Sequence, residues 1–213
     1  MNYIVVKGDI IDSRNVKDRD KLQQQLSEYL KTINEQYKNV IAAEFMITSG
    51  DGFQGLMNNA DHLFDITNLI EELPVNIRFG IGIGEVSTEI DSKNSAVIDG
   101  PCYHLADDML KRIKTEETQN TAKRANIQMA SNTPNDGIIN GLLSLRYVIK
   151  SSWTKRQHEV IGAYISHDEN QYKTAAVLGV NQSTVSRALK ATNFYSVKSA
   201  ETEVIRFIKD VIL

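Results

Sequence analysis

Two aspartates sit where the sequence gives an acid special access to the end of a sheet. Asp9 follows the apolar run Tyr3 to Val6, in Lys7-Gly8-Asp9-Ile10-Ile11-Asp12-Ser13-Arg14, and Asp51 lies inside Ser49-Gly50-Asp51-Gly52-Phe53. An acid emerging where a buried strand becomes a loop is placed at the sheet's edge, and a hairpin acid can lie beside it. Two converging carboxylates repel unless a proton or a hard cation sits between them. Mg²⁺ or Mn²⁺ prefers such oxygen ligands and shares them with phosphates, so Asp9 and Asp51 are the candidate metal ligands. Gly50 and Gly52 would let a polyphosphate approach the backbone closely, and Arg14, more than Lys7, would supply positive charge beside it. The same residues have a purely structural use, since Asp after a strand caps a turn and Asp-Gly signals a hairpin. His104 is a further candidate for catalysis, although the sequence names no partner for it. Cys102, the one cysteine, has no adjacent base, cannot form an internal disulfide, and reads as a small buried residue.

A second set of residues lies near the C-terminus. In Gln182 to Ala191, Val185, Ala188 and Leu189 fall on one helical face, leaving Gln182, Ser183, Ser186, Arg187 and Lys190 on the other. Gln and Arg bond base edges, while Ser, Lys and a helix N-terminus hold phosphates, so these residues and Lys173 are the candidate DNA contacts. Lys155 and Arg156 would add phosphate contacts. Gly179 suits a left-handed turn between this helix and the shorter Tyr172 to Leu178, and Asn181 would cap it. The other use of such a scaffold is a helical bundle for protein contacts.

The elements that must position these groups follow from periodicity. Residues 3–6 read as a strand, Lys17 to Tyr37 as a helix, and 40–47 with 53–57 as a hairpin around the Gly50-Asp51-Gly52 turn. Asn59 to Glu72 reads as a helix ended near Pro74, Val75 to Val86 as a strand, and Tyr103 to Lys114 as a helix, with one more strand at 125–130. This β-α-β-β-α-β order predicts an α+β fold: a ferredoxin-like antiparallel sheet with helices on one face, and then an all-α part. The predicted divisions are 1–132 for the sheet domain, 133–152 for a linker and connecting helix from about Leu142, and 153–213 for a helix-turn-helix domain. Its last helix, from Ser199, carries an apolar face for its own core or for a dimer contact.

These residues bring resemblances. Residues 3–115 resemble class III nucleotide cyclases and their GGDEF relatives, with Asp9-Ile10 similar to the first metal-binding aspartate and its neighbouring backbone carbonyl, and Gly50-Asp51 to the second aspartate in its hairpin. Arg78 to Gly84 and Gly100 to Ala106 resemble the later strand and helix of that domain. Ile47 stands where a cyclase has a base-selecting Lys, and His104 and Asp108 where it has Asn and Arg. An acid in place of that Arg reverses the sign of its interaction with phosphate. The C-terminal segment resembles the helix-turn-helix of LuxR-type regulators and of the similar sigma-factor region, and the whole chain resembles the SatD family.

Composition narrows the classes. The 213 residues are 41% hydrophobic, which is enough for a core, and their net charge of −3 argues against a chain that is basic throughout. Residues 1–150 carry 16 basic and 21 acidic side chains, whereas 151–213 carry 8 and 6, and Asn170 to Ala200 contains no acid. With no exported or membrane-spanning pattern, a cytoplasmic protein is expected. The leading expectation is a DNA-binding transcriptional regulator whose degenerate cyclase-like domain binds a nucleotide or phosphate ligand with Mg²⁺ or Mn²⁺, a homodimer being the usual form for paired half-sites. The alternatives are a divergent nucleotidyl cyclase or nucleotide hydrolase, and a protein-interaction module.

Overall fold

The computed structural model describes residues 1–16, 18–48, 50–119 and 125–212, with the side chains of Arg14 and Ile212 outside that description. Within it, β1 (Tyr3–Ile10), α1 (Arg19–Gln36), β2 (Ile41–Ile47), β3 (Gly52–Met57), α2 (Leu63–Glu71) and β4 (Ile77–Gly84) follow in turn. Next come α3 (Pro101–Thr118), β5 (Ile127–Ala130) and α4 (Asp136–Ser151). The chain ends with α5 (Lys155–Ser166), α6 (Gln171–Leu178), α7 (Gln182–Ala191) and α8 (Phe194–Ile212).

The described strands form one sheet in the order β2-β3-β1-β4-β5. The first four are antiparallel neighbours, as the β-α-β-β-α-β order predicts, and β5 joins parallel to β4, so the sheet is mixed. Strand alternation sorts its faces. Ile4, Val6, Phe79, Ile81 and Ile127 look into the main core with Leu26 and Ile33 of α1 and Ile66 and Ile70 of α2. Burying a side chain of this size stabilises by about 1.5–3 kcal/mol before the entropy of ordering it is subtracted.

The other face is covered too, which corrects the expectation of helices on one side only. The reason is the alternation Gly80, Gly82, Gly84 in β4. A Cβ at Gly80 would lie 2.1 Å from the Ala106 carbonyl oxygen, and one at Gly82 would lie 1.9 Å from that of Cys102, both on α3. Bare backbone lets α3 rest directly on β4, and Cys102, Tyr103 and Ala106 build a second, smaller core there with Val5 and Leu56.

Both edge strands are closed by an asparagine. Asn34 of α1 donates Nδ2 to the Phe45 carbonyl at 2.8 Å and accepts the Phe45 N–H at 2.8 Å. Asn140 of α4 does the same for Met129, again at 2.8 Å each way. These side chains imitate the missing neighbour strand and blunt the edges.

The C-terminal helices do not stand apart as a separate all-α domain. Val160, Ile161, Tyr164, Val185, Leu189 and Phe194 form a third core, but α8 leaves it and places Val204 and Ile208 in the main core beneath the sheet. A buried charge cluster reinforces the seam: Arg146 of α4 reaches Glu201 of α8 at 2.6 Å and Asn68 of α2 at 2.7 Å, while Lys150 reaches Glu71 of α2 at 2.6 Å. The apolar face of the last helix therefore serves the sheet's core. That helix begins at Phe194 rather than Ser199, because Phe194 and Val197 are buried.

Candidate functional site

At the end of β1, Asp9 stands between Gly52 on β3 and Arg78 on β4, its direct cross-strand partners. Its side chain is 13% exposed and points to the α3 face. Oδ1 accepts from Arg78 Nη1 at 3.2 Å, and Oδ2 pairs with Lys114 of α3. Arg78 also reaches Glu117 at 2.8 Å. One strand position earlier on the same face, Lys7 is held by both oxygens of Asp107 at 2.9 Å. The face is thus a lattice of alternating charges in which each acid has a cation.

Asp51 keeps other company. With Gly50, Ile10, Ser13, Arg19 and Asp20 it lines a recess of about 200 Å³ beside α1, and Asp9 is not among the lining residues. Gly50 adopts the left-handed conformation, φ 62°, with open space around it, as a tight turn requires. Ser49 lies outside the described residues. Ile10 points into the core, and Arg14 has its backbone in a short 3₁₀ turn at Ser13–Asn15. Register therefore brings Asp9 and the Gly50-Asp51-Gly52 turn to one end of the ladder, while their side chains have different neighbours. A divalent cation does not fit this arrangement as it stands. Both Asp9 oxygens are taken by cations, and among the described residues no three His, Cys, Asp or Glu side chains converge.

His104 is exposed in the first turn of α3, its Nε2 3.6 Å from Asp99. Cys102 is fully buried and its thiol is pushed up to about 11 by that burial, which removes thiolate chemistry near neutrality. Tyr103 beside it is buried with its hydroxyl unpartnered among the described residues, and burial raises its pKa as well.

The C-terminal candidates form a second surface. α5 starts with a capping box, the Gln157 N–H donating to Thr154 Oγ1 at 3.3 Å and the Thr154 N–H to Gln157 Oε1 at 2.8 Å. Asn170 caps α6 by accepting from the N–H groups of Tyr172 and Lys173. Gly179 then turns the chain at φ 64°, and Asn181 occupies the N-cap of α7 without a side-chain cap bond. Val185 and Leu189 are buried; Ser183, Arg187 and Lys190 are exposed, with Gln182 and Ser186 half-buried beside them. Gln182 donates to Gln171 at 2.5 Å, tying the two helix starts together. Arg187 bonds the Ser183 carbonyl and the Thr184 hydroxyl of its own helix, whereas Lys173 pairs with Asp168 at 2.9 Å.

The charged lattice on the α3 face and the Arg146–Glu71 cluster were not foreseen. The signal for the first was the alternation Ile77-Arg78-Phe79-Gly80, which sets Arg78 on the face of Asp9. For the second it was a lone Arg146 inside the apolar stretch Leu142 to Ile149.

Comparison with known proteins gives three results. The profile of the SatD family matches residues 3–202. No curated protein matches the chain. Among solved structures, the guanylate cyclase domain of RhGC from Catenaria anguillulae in complex with GTP is 18% identical, with a TM-score of 0.39 over 51% of this chain and 71% of that one. The monomeric guanylyl cyclase domain of the RhoGC fusion protein from Blastocladiella emersonii is 21% identical, with a TM-score of 0.40 over 51% and 73%. A bacterial light-regulated adenylyl cyclase is 13% identical, with a TM-score of 0.42 over 72% and 81%. These are slight likenesses.

Proposed function

The chain belongs to the SatD family, and we propose that it acts as a DNA-binding regulator that reads duplex DNA with the outward face of α7. The observation that carries this reading is the state of Arg187. Arg78, Arg112, Arg146, Arg156 and Arg206 each face a carboxylate, whereas Arg187, like Arg19 at the start of α1, meets none among the described residues, and Arg187 alone of these two lies in the acid-free segment. Lys190, one turn on, is exposed and likewise without an acid among the described residues. Donors of this kind beside Gln182, Ser183 and Ser186 match what base edges and phosphate oxygens accept. The surrounding acid-free stretch from Asn170 to Ala200 leaves nothing in sequence to repel the polyanion. Fluorescence anisotropy with random-sequence duplex over a salt series tests this. Arg187→Ala and Lys190→Ala should each weaken binding and lower the slope of log affinity against log salt by about 1. Absence of binding at low salt contradicts it.

A second reading concerns the Asp9 end of the sheet, and the cross-strand geometry favours it. Arg78 and Lys114 flank Asp9 on one side and the open Gly50-Asp51-Gly52 turn on the other, so cations and bare backbone meet at one place. A nucleotide or phosphate ligand held directly by those cations is the form that fits the side chains. Thermal unfolding with nucleotides, with and without Mg²⁺ or Mn²⁺, tests it in the wild type, Asp9→Asn and Asp51→Asn. Ligand at about 100 times its Kd stabilises by about 2.7 kcal/mol. A metal-dependent shift lost in both variants would favour a divergent cyclase or hydrolase instead, and no shift at all would remove both.

A further inference from the structure

At the seam between the sheet and the C-terminal helices lies a cleft of about 670 Å³ that neither reading uses. Its size is that of a small-molecule site. The end of α2 contributes Glu71 and Glu72, α5 contributes Lys155 and Ile161, and α8 contributes Phe194 and Val197. Gly162 of α5 lines it as bare backbone, and a Cβ there would meet nothing within 4 Å, so the space is open down to the helix.

The charges around the cleft divide into those the chain has matched and those it has not. Glu71 takes Lys150 at 2.6 Å and Arg146 at 3.7 Å, and Glu201 takes Arg146 at 2.6 Å. Glu72, the next residue along α2, has no such cation among the described residues, and burial alone raises its pKa. At the first turn of α5, Lys155 is exposed, and Glu159, its i+4 neighbour, pairs with Arg156 instead at 2.6 Å. The two leftover charges are of opposite sign and do not pair with each other. Two polar groups are likewise half used. Asn68 Oδ1 accepts from Arg146 and Lys150 while its Nδ2 has no acceptor among the described residues, and Glu201 accepts only through Oε1. Neither spare atom is sealed in the interior, and both residues line this cleft. The cleft therefore offers an anion, a cation, an acceptor and a donor beside the apolar surface of Ile161, Phe194 and Val197. A lone anion meets repulsion from Glu72 and Glu201, a lone cation leaves Lys155 and the Asn68 amide unanswered, and a neutral apolar molecule strips water from all four without replacing it. A molecule carrying both charges on an apolar body answers each of them.

We propose that this cleft binds a small zwitterion with an apolar body, of the α-amino acid kind, its ammonium towards Glu72 and Glu201 and its carboxylate towards Lys155 and the Asn68 amide. The proposal goes beyond the DNA reading and stands apart from it, since binding is read with no DNA present. Trp153, the chain's one tryptophan, lines the cleft and reports occupancy by its fluorescence. The probes are L-phenylalanine, beside 2-phenylethylamine and 3-phenylpropionate, and L-leucine, beside 3-methylbutylamine and 4-methylpentanoate. In each set the amine lacks the carboxylate and the acid lacks the amino group. At least one of the two amino acids should bind the full chain saturably, and removing either charge from it should weaken binding by about 10-fold or more. Glu72→Gln should narrow the gap between amino acid and acid, and Lys155→Gln the gap between amino acid and amine; both side chains lie at the surface, so neither change threatens the fold. Gly162→Phe, which fills the cleft, should remove binding altogether while its unfolding midpoint shows that it is folded. No saturable signal from either amino acid, an amine or an acid that binds as well as its amino acid, gaps that persist in Glu72→Gln and Lys155→Gln, or binding that survives Gly162→Phe would overturn the proposal.

Discussion

Asp9 reaches electrical balance through the chain's own cations, and that choice has measurable consequences. With Arg78 across the ladder and Lys114 descending from α3, Asp9→Asn would leave Lys114 unpaired while Arg78 keeps Glu117. Loss of a part-buried, charge-assisted contact costs about 1–3 kcal/mol, to be read as a lower urea midpoint. A variant as stable as the wild type would show that the lattice contributes nothing. Glu71 provides a pH signature. Burial pushes its carboxyl up, but Lys150 and Arg146 outweigh that and hold it at about 2, below the usual 4.5. A depressed pKa means stability that is present above the unfolded value and lost as pH falls from about 4.5 through about 2. The shift corresponds to about 3 kcal/mol, and this acid loss should be absent in Glu71→Gln. Of these contacts, the sequence carried only the alternation that sets Arg78 and Phe79 on opposite faces of one strand; that Arg78 meets Asp9 depends on the β1–β4 register, which is not local. Lys114 and the Glu71 cluster were not legible either, because those partners arrive on helices remote in the chain whose rotation is set by packing.

Among the elements, β4 and α3 show how absent side chains can determine a layer. Gly82→Ala drives a Cβ into the Cys102 carbonyl, so α3 must lift from the sheet, and a loss of about 2–3 kcal/mol or more is expected. Gly162→Ala, in the open on α5, should instead stabilise by about 1 kcal/mol through helix propensity. Opposite signs for one substitution, measured by the same unfolding assay, would confirm that the first glycine serves close approach. Asn140→Ala strips Met129 of both its edge bonds and should cost about 1–3 kcal/mol. Helices α1, α6 and α7 and the β2–β3 hairpin were legible because their apolar spacing is regular. The first turns of α4 were not, since Gly137 and Gly141 weaken its helical signal. Ile139 and Asn140 fix that stretch instead, one buried in the main core and the other clasping β5. The glycine alternation in β4 was visible too, but its meaning required knowing that α3 crosses there.

At the level of the whole molecule, α8 decides the architecture, because it starts in the core shared with α7 and ends under the sheet. With Arg146 and Glu201 joined across the same seam, the sheet and the C-terminal helices should unfold in one transition when followed by Trp153 fluorescence and by far-ultraviolet circular dichroism. Two separated transitions would show that they fold apart. Sequence periodicity marked the amphipathic face of α8 and left open its own domain's core or a dimer contact; the core under the sheet, which it joins, is built from strands remote in the chain. That shared frame also anchors α7, with Val185 and Leu189 buried and Arg187 turned outward. The most direct measurement is therefore the affinity of the full chain for duplex DNA across a salt series, wild type beside Arg187→Ala. The account predicts binding that weakens steeply with salt and a shallower slope for the variant. Equal affinity and equal slope for the two proteins, or no binding at low salt, would contradict it.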